Sequence, residues 1–578
     1  MTGTLDGERP WLARYPAGVP ADIDPAELPT LADLFEECVA QYPDRIAFET
    51  FGKSITYREF EKHVRDLASA LQQMALKKGD AVAVMMPNLL AYPVVTFALV
   101  ISGYTVVNIN PLYTPRELAD QINDSNTRMI FIADVCAHTL DKALEDCVKL
   151  ERAVLVRLGD LLGWKGTMVN FVARYVKKSI PAYHLPITHS FTSFINWGSR
   201  SPMKKMDVQP DDVAFLQYTG GTTGVSKAAV LTHRNMTSNV LQAQAWLKPS
   251  LDDDTQHVMY TALPLYHVLS LTACCLFMLR IGATQVLIPN ARDIPALIDQ
   301  MKLKPPTILV LVNTLYNALV RHSRIGEVDF SKLALSLSGG MATQAAVSRR
   351  WKEATGKPII EGYGLSETSP LVSVNRLDID EFTGTIGYPV PSTDVRIAGP
   401  QGEPLPMGEA GELWVKGPQV MAGYLGQREE TADALTPDGW FRTGDIAVMN
   451  DDGSLSIVDR LKDMISVSGQ KVYPNEVEDV LAAHPKVKEV AVIGLPDKNF
   501  GEAVCAFVVP SDPSLTSEEL RNFARDKLAG FKAPRRIQFR DELPKSNVGK
   551  ILRRELRRDP EQNGAKSSPE TALPPGAA

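Results

Sequence analysis

The stretch Tyr218-Thr-Gly-Gly-Thr-Thr-Gly-Val-Ser-Lys227 follows the apolar run Val213-Ala-Phe-Leu216, which places it on a loop after a strand. Its glycines Gly220, Gly221 and Gly224 let the backbone approach a polyanion. Thr219, Thr222, Thr223 and Ser226 offer hydroxyl donors, Lys227 adds a positive charge, and Val225 is the one aliphatic residue among them. The chemistry is that of a phosphate-holding loop. The spacing is not GxxxxGK[ST], because the lysine follows Gly224 by three positions. A flexible Gly/Thr turn would account for a single Gly pair, but poorly for ten residues with this many donors.

Outward from this loop, residues 55–345 alternate short Val/Ile/Leu-rich runs, near 81–86, 106–109, 129–132, 153–156 and 285–288, with longer helix-like stretches. That texture predicts an α/β fold with parallel sheets covered by helices. Between about 383 and 460 it changes to short strands punctuated by Gly, Pro and Asp, which predicts a small, mainly antiparallel unit. A segment of about 95 residues follows, with strands expected near 488–494 and 503–509 and helices near 475–483 and 517–528, the size of a separate small domain. The tail, 559–578, is rich in Pro, Ser, Ala and Gly, and disorder is expected there.

With 578 residues, 44% apolar and 22% charged, the chain can bury a large core. Collagen, coiled coil and global disorder are excluded. A net charge of -7 gives no global attraction to nucleic acid. The six cysteines are scattered without a CxxC pair or zinc-ligand spacing, so a reducing compartment fits. The polar N-terminus is unlike a signal peptide, and a cytoplasmic location is expected. The uncharged stretch 258–279 is long enough to span a bilayer, but Pro264, Tyr266, His267 and several hydroxyls favour buried core.

Further motifs share the order and spacing of one family. Glu361-Gly-Tyr-Gly-Leu-Ser-Glu367, Trp440-Phe-Arg-Thr-Gly-Asp445, Asp459-Arg-Leu-Lys-Asp-Met464 and Pro544-Lys-Ser-Asn-Val-Gly-Lys550, together with the Thr/Gly loop, resemble the adenylate-forming ligases. Closer still is the resemblance to bacterial long-chain fatty acyl-CoA synthetases, through Val107-Asn-Ile-Asn-Pro-Leu-Tyr-Thr-Pro-Arg-Glu-Leu118, Leu263-Pro-Leu-Tyr-His267 and Val472-Tyr-Pro-Asn-Glu476. The likeness runs from about Trp11 to Arg558. It implies a large adenylation domain over 1–461, made of two parallel-sheet subdomains and a small β-barrel, then a small mobile α+β domain over 462–558. It also implies ATP and CoA as co-substrates, Mg2+ as cofactor, a fatty acid as substrate and acyl-CoA, AMP and pyrophosphate as products. A homodimer is compatible with it, and no nucleic acid partner is implied.

Such an enzyme must couple a poorly electrophilic carboxylate to a nucleotide before a thiol can attack, and the first step gathers several negative charges that metal and cationic groups must offset. Glu367 is the expected Mg2+ ligand, a helix-start glutamate being the alternative. The resemblance implies that residues 218–227 hold phosphate, with Thr219 and Lys227 catalytic. It implies that Tyr363 beside Gly364 stacks on adenine, that Gly339 and Gly340 let the backbone approach the base, and that Asp445 accepts the ribose hydroxyls. Ser366 stands where the family commonly has Thr, and keeps the hydroxyl. Arg460 is expected at ribose and phosphate and Lys462 at the hinge of the small domain, a charged surface turn being the alternative for both. Lys550, an ammonium on a flexible stem, is expected to reach substrate carboxylate and nucleotide during adenylation. Domain rotation would then bring the stretch around Gly469 to the pantetheine tunnel.

His267 is expected as a wall or gate between nucleotide and acyl pockets rather than a general base, since the carboxylate nucleophile is already ionised. Residues 269–278 and 310–319 could line an acyl tunnel or be ordinary core. In 164–178, Met168, Phe171, Val172, Tyr175 and Val176 share one helical face, with Lys165, Arg174, Lys177 and Lys178 elsewhere. That pattern fits either a core-packed surface helix or peripheral contact with the inner face of a membrane. Within the family, a medium-chain, aryl or carrier-protein specificity is the nearest rival; a non-catalytic acyl or nucleotide sensor is a rival of another class.

Overall fold

A computed structural model describes residues 9–219, 226–252, 255–468, 470–497, 500–546 and 551–558. Gly220, Gly221, Thr222, Thr223, Gly224 and Val225 of the Thr/Gly loop, Gly469, Lys550 and the tail 559–578 lie outside the described residues.

Two large sheets carry the first of two compact units. One has eight strands, in the order Gly423–Tyr424, Lys227–Thr232, Val213–Thr219, Thr105–Asn108, Ala81–Met85, Met129–Ala133, Arg152–Val156, Thr188–Ser190. The second has nine, in the order Tyr388–Pro389, Leu371–Val374, Ile360–Gly364, Leu335–Ser338, Ile308–Leu311, Val258–Thr261, Thr284–Leu287, Ile46–Thr50, Lys53–Thr56. Their inner strands pair in parallel, and Ala81–Met85, Thr105–Asn108 and Met129–Ala133 are buried at every residue. Helices cover both faces of such strands, which is why they read as unbroken apolar runs. The strands expected near 81–86, 106–109, 129–132, 153–156 and 285–288 are all present, within one residue at each end.

Antiparallel pairs occupy the margins. Val213–Thr219 and Lys227–Thr232 form a hairpin in which Thr219 stands opposite Lys227 and Tyr218 opposite Ala228. The Thr/Gly motif therefore joins two antiparallel strands, not a strand and a helix. The helix comes next: Thr232 caps His233–Leu247, accepting from Asn235 N at 3.2 Å while its own N–H donates to Asn235 Oδ1 at 2.9 Å.

At the start of this helix His233 is buried and accepts a hydrogen bond from Leu31 N at 3.2 Å, which requires neutral Nδ1. Burial pushes its pKa down to about 4, against a weaker upward pull from Asp212. The unfolded chain, with histidine near 6.5, binds the extra proton between pH 6.5 and 4. Stability from this group is therefore complete above pH 6.5 and is lost as pH falls toward 4. A loss of about 2 kcal/mol is expected between pH 7 and 5. Thermal melts across that range should show it, and His233→Asn, which keeps an acceptor without the titration, should flatten the slope.

Strands Asp394–Ala398, Ala410–Lys416, Phe441–Met449 and Leu455–Arg460 make a four-stranded sheet in that linear order, from the region expected to be antiparallel. The second compact unit comprises Glu409–Leu413, Gly444–Val448 and the described residues from Ile457 to Arg558. Its own five-stranded sheet is built around the long pair Val487–Asp497 and Gly501–Pro510, with Arg536–Phe539 parallel to the latter. Period-two alternation gives this sheet two apolar faces. Val490, Val492, Val504, Ala506 and Val508 face helices Pro474–Ala482 and Ser517–Arg525, whereas Ala491, Ile493, Cys505, Phe507 and Leu556 pack on the other side.

Residues 258–279 are not one span. They form the strand Val258–Thr261, a π-helix Ser270–Leu276 and the start of Phe277–Arg280. Among the described residues no helix is long and apolar enough to cross a membrane. All six cysteines are free and buried.

Candidate active site

The C-terminal ends of two parallel strands of the nine-stranded sheet open onto a cavity in the first unit. Leu335–Ser338 delivers Gly339 and Gly340, while Ile360–Gly364 delivers Tyr363 and, just beyond it, Ser366. His267 and Leu269 close the same space. About 840 Å³ here is free of atoms, part of it open to solvent. Strand ends in parallel sheets are where α/β folds place ligands, because loops there are free of the ladder and can carry chemistry.

Close backbone packing gives this shelf its shape. Gly340 has φ +79°, and a Cβ on Gly364 would lie 1.9 Å from Pro370 O, so only glycine fits. A Cβ on Gly339 would meet Leu269 Cδ2 at 3.4 Å. Glu361, the first acid of the Glu361–Glu367 motif, points into the fold, and its Oε1 accepts from Thr343 N at 3.1 Å. It braces the Gly339–Thr343 turn.

The remainder of the cavity is apolar, lined by Ala243, Leu247, Ala273, Phe277, Met278 and Val310 among others. Of the two stretches that sequence left open between tunnel and core, 269–278 is divided. Leu269, Thr272, Ala273, Phe277 and Met278 line the cavity, while Leu271, Cys274, Cys275 and Leu276 are packed in the core. From 310–319 only Val310 lines it; Tyr316 and Leu319 are core. Sequence reasoning missed Asn239, Ala243 and Leu247, one face of the helix His233–Leu247. Their four-residue spacing was visible, but core-facing positions have the same spacing.

A polar cluster links the Thr/Gly loop to the glutamate. Tyr424 Oη donates to Glu367 Oε1 at 2.9 Å, and Lys227 Nζ lies 5.4 Å from the Tyr424 ring centre. Burial and the Glu367 carboxylate push the Tyr424 phenol well above its ordinary pKa, so it remains a donor. Sequence marks Tyr424 only as the start of the family-like stretch Tyr424 to Asp445, without a role, and the hairpin, with Gly423–Tyr424 paired beside Ala229 and Val230, brings it to Lys227. Thr219 Oγ1 donates to Lys227 O at 3.4 Å, and Tyr218 Oη to Asp124 Oδ2 at 2.6 Å. Tyr218 therefore braces the strand with its hydroxyl turned to Asp124.

Three expected residues fall in the second unit. Asp445 is buried, and its Oδ1 lies 3.0 Å from Arg460 Nε, an ion pair joining the proposed ribose acceptor to the proposed phosphate contact. Lys462 has its pKa lowered by burial and by Arg460. Asp459 and Asp463, which flank it, are gathered by Arg553. That guanidinium donates to Glu478 Oε2 at 2.8 Å and Asn475 Oδ1 at 2.6 Å, and lies 3.6 Å from Asp459 and 3.5 Å from Asp463. Arg557 adds a second bond to Asp463 at 2.9 Å.

A shelf of close-approach glycines and a tyrosine over an apolar cavity, with an acid and a lysine nearby, is suited to a nucleotide beside an apolar acid. The family model for AMP-binding enzymes matches residues 35–425, and that for the AMP-binding enzyme C-terminal domain matches 476–550. The chain belongs to the AMP-binding enzyme family. It is 52% identical over 549 residues to the long-chain-fatty-acid–CoA ligase of Escherichia coli O6:H1, covering 95% of this chain and 97% of that one. Feruloyl-CoA synthase of an Amycolatopsis species is 36% identical, over 89% of this chain and 96% of that relative. Among solved structures, the anthranilate CoA ligase AuaEII in complex with anthranoyl-AMP superposes with a TM-score of 0.81 at 25% identity, covering 92% of this chain and 98% of that one.

Proposed function

We propose that the protein activates long-chain fatty acids to acyl-CoA through an acyl adenylate, releasing AMP and pyrophosphate. The apolar cavity continuous with the Gly339–Gly340 and Tyr363–Ser366 shelf carries this reading, and the 52% identity to a long-chain-fatty-acid–CoA ligase supports it. In this proposal Tyr363, Gly364, Gly339 and Gly340 receive adenine, Ser366 adds a hydroxyl, and Asp445 and Arg460 serve the ribose and phosphate. Residues 218–227 hold the polyphosphate, His267 divides nucleotide from acyl chain, and Lys550 meets the carboxylate. We further propose residues 1–461 as the adenylation domain and 462–558 as the small domain turning at Lys462, with the stretch around Gly469 serving CoA in the second step.

Among the described residues no three His, Cys, Asp or Glu side chains gather as a metal cluster. Mg2+ is commonly held by one or two carboxylates plus substrate phosphates. Glu367, oriented by Tyr424, is the residue that would hold it, and the ion would offset phosphate charge. The carboxylate of the fatty acid then attacks the α-phosphorus, the bond to pyrophosphate breaks, and CoA sulfur later displaces AMP from the acyl carbon.

Each methylene seated in an apolar cavity contributes about 0.8 kcal/mol, roughly fourfold in kcat/KM. The wild-type enzyme should therefore prefer long saturated acids over short ones and over benzoate. Ala243→Phe, which puts a ring on the apolar wall of the cavity, should move the optimum shorter by several carbons while leaving ATP KM unchanged. An unchanged chain-length profile, or an optimum on aryl acids, would overturn the substrate assignment. The location we propose is a lipid surface, where such acids partition.

A further inference from the structure

The helix Trp164–Phe171 runs on as a π-helix over Val172–Val176, and its apolar side faces outward. Trp164 is 77% exposed, Met168 and Phe171 57%, Tyr175 63% and Val176 65%. Of the five residues expected on one face only Val172 is half-buried, and the core-packed alternative is excluded. The inner side carries Val169, half-buried against the core, together with small and polar groups. Asn170 Oδ1 accepts from Gly159 N at 2.8 Å, Gly166 is pressed so close that its Cβ would lie 2.0 Å from Gly159 O, and Ala173 is buried. The body thus holds this helix by Gly166, Val169, Asn170 and Ala173 and leaves its aromatic side outward, where an ordinary surface helix presents polar groups.

Lys165 Nζ donates to Gly52 O at 2.9 Å, which ties the helix start to the tip of the Ile46–Thr50 and Lys53–Thr56 hairpin. At that tip Phe51 has φ +48° and is also exposed. Charge points the same way. Between Leu161 and Met206 there is no Asp or Glu, while Lys165, Arg174, Lys177, Lys178, Arg200, Lys204 and Lys205 fall in that interval. All 68 acidic residues of a chain with net charge -7 lie elsewhere. Burial raises the pKa of Asp134 to about 6 against a weaker downward pull from Arg174, and Arg174, Lys177 and Lys178 are all exposed at the helix end. Contiguous exposed aromatics with a basic rim match the interfacial zone of a bilayer, where rings sit at headgroup level and lysines meet anionic lipid.

We propose that Phe51, Trp164, Met168, Phe171, Tyr175 and Val176, with Lys165, Lys177 and Lys178, form a docking surface for an anionic lipid bilayer. The inference rests on the long-chain reading above and deepens it: the enzyme takes its acid from the membrane in which that acid is dissolved. Trp164, Phe171 and Tyr175 would supply the buried apolar area and the lysines the preference for negative headgroups.

Flotation of the full-length protein with vesicles of phosphatidylcholine alone or mixed equally with phosphatidylglycerol tests it. Binding to the mixed vesicles is expected, falling roughly 20-fold for Lys177→Glu/Lys178→Glu and roughly 100-fold for Trp164→Ser/Phe171→Ser/Tyr175→Ser. Acyl-CoA formation from albumin-delivered fatty acid should be unchanged in both variants, while turnover of vesicle-borne acid falls several-fold. Equal flotation of wild type and variants, or none for the wild type, would overturn the proposal. So would a serine variant that passes from dimer to monomer without any change in flotation, which would make a second copy the occupant. Loss of activity on albumin-delivered acid in the wild type would instead count against the ligase reading, whatever the flotation result.

Discussion

Lys550→Ala should lower the rate of acyl-adenylate formation by about 100- to 1000-fold, the usual cost of removing a group that stabilises developing charge at a transition state. Thioester formation from supplied acyl adenylate and CoA should stay within about twofold of wild type. The asymmetry follows from chemistry. Adenylation brings a carboxylate against a triphosphate, and one ammonium on a flexible stem offsets that repulsion. In the second step the carboxyl is already a neutral acyl group, and a thiol displaces a good leaving group. Measuring the half-reactions separately, by pyrophosphate release without CoA and by thioester formation from the adenylate, checks this. An equal loss in both would contradict the assignment of Lys550 to the first step alone.

Arg553→Ala should disrupt the second unit. The guanidinium is the common partner of Asp459, Asp463 and Glu478, and Asp459 is fully buried. Glu478 also accepts from Val492 N at 2.7 Å, joining the cluster to the central strand pair. Burial raises Glu478 to about 7 against the pull of Arg553, so removing the arginine takes the guanidinium from Glu478 and buried Asp459 and leaves Asp463 to Arg557 alone. Loss of one partner from a buried ion pair costs about 3–5 kcal/mol. Amide exchange across Val487–Asp497 and Gly501–Pro510 in the full-length protein should therefore accelerate by at least about 100-fold. Arg553→Lys should not restore protection, because one ammonium cannot supply the forked donors that meet Glu478 and Asn475 together. Protection unchanged in Arg553→Ala would show the cluster to be solvated ornament. Arg553 stands three residues after Lys550, so the same variant should also slow adenylation.

The parts legible in the sequence were those with one physical explanation. Val82, Ala83 and Val84 could form an unbroken apolar run only in a strand covered on both faces, and that is where they lie. The alternation of Ala491 and Ile493 against Val490 and Val492 likewise announced a two-faced sheet. Elsewhere the same pattern had two explanations. Ala273 and Phe277 line the cavity while Cys274 and Leu276 beside them fill the core, and hydrophobicity does not separate a wall from an interior. Periodicity in 164–176 gave a helix with one apolar face, but not the direction that face would take. Asn170, turned inward to Gly159, was the residue that decided it. The meeting of Lys227, Tyr424 and Glu367 was hidden for another reason. It joins residues separated by up to about 200 positions through an edge strand, Gly423–Tyr424, only two residues long.

The central claim is that one enzyme joins a long-chain acid to CoA by way of an adenylate. Its most direct measurement is the simultaneous quantification of AMP and acyl-CoA from ATP, CoA and a fatty-acid series, with magnesium present and then chelated. The account predicts one AMP per thioester, an optimum at long chains, and loss of both products on chelation. AMP without thioester, ADP in place of AMP, or no turnover with any fatty acid would contradict it.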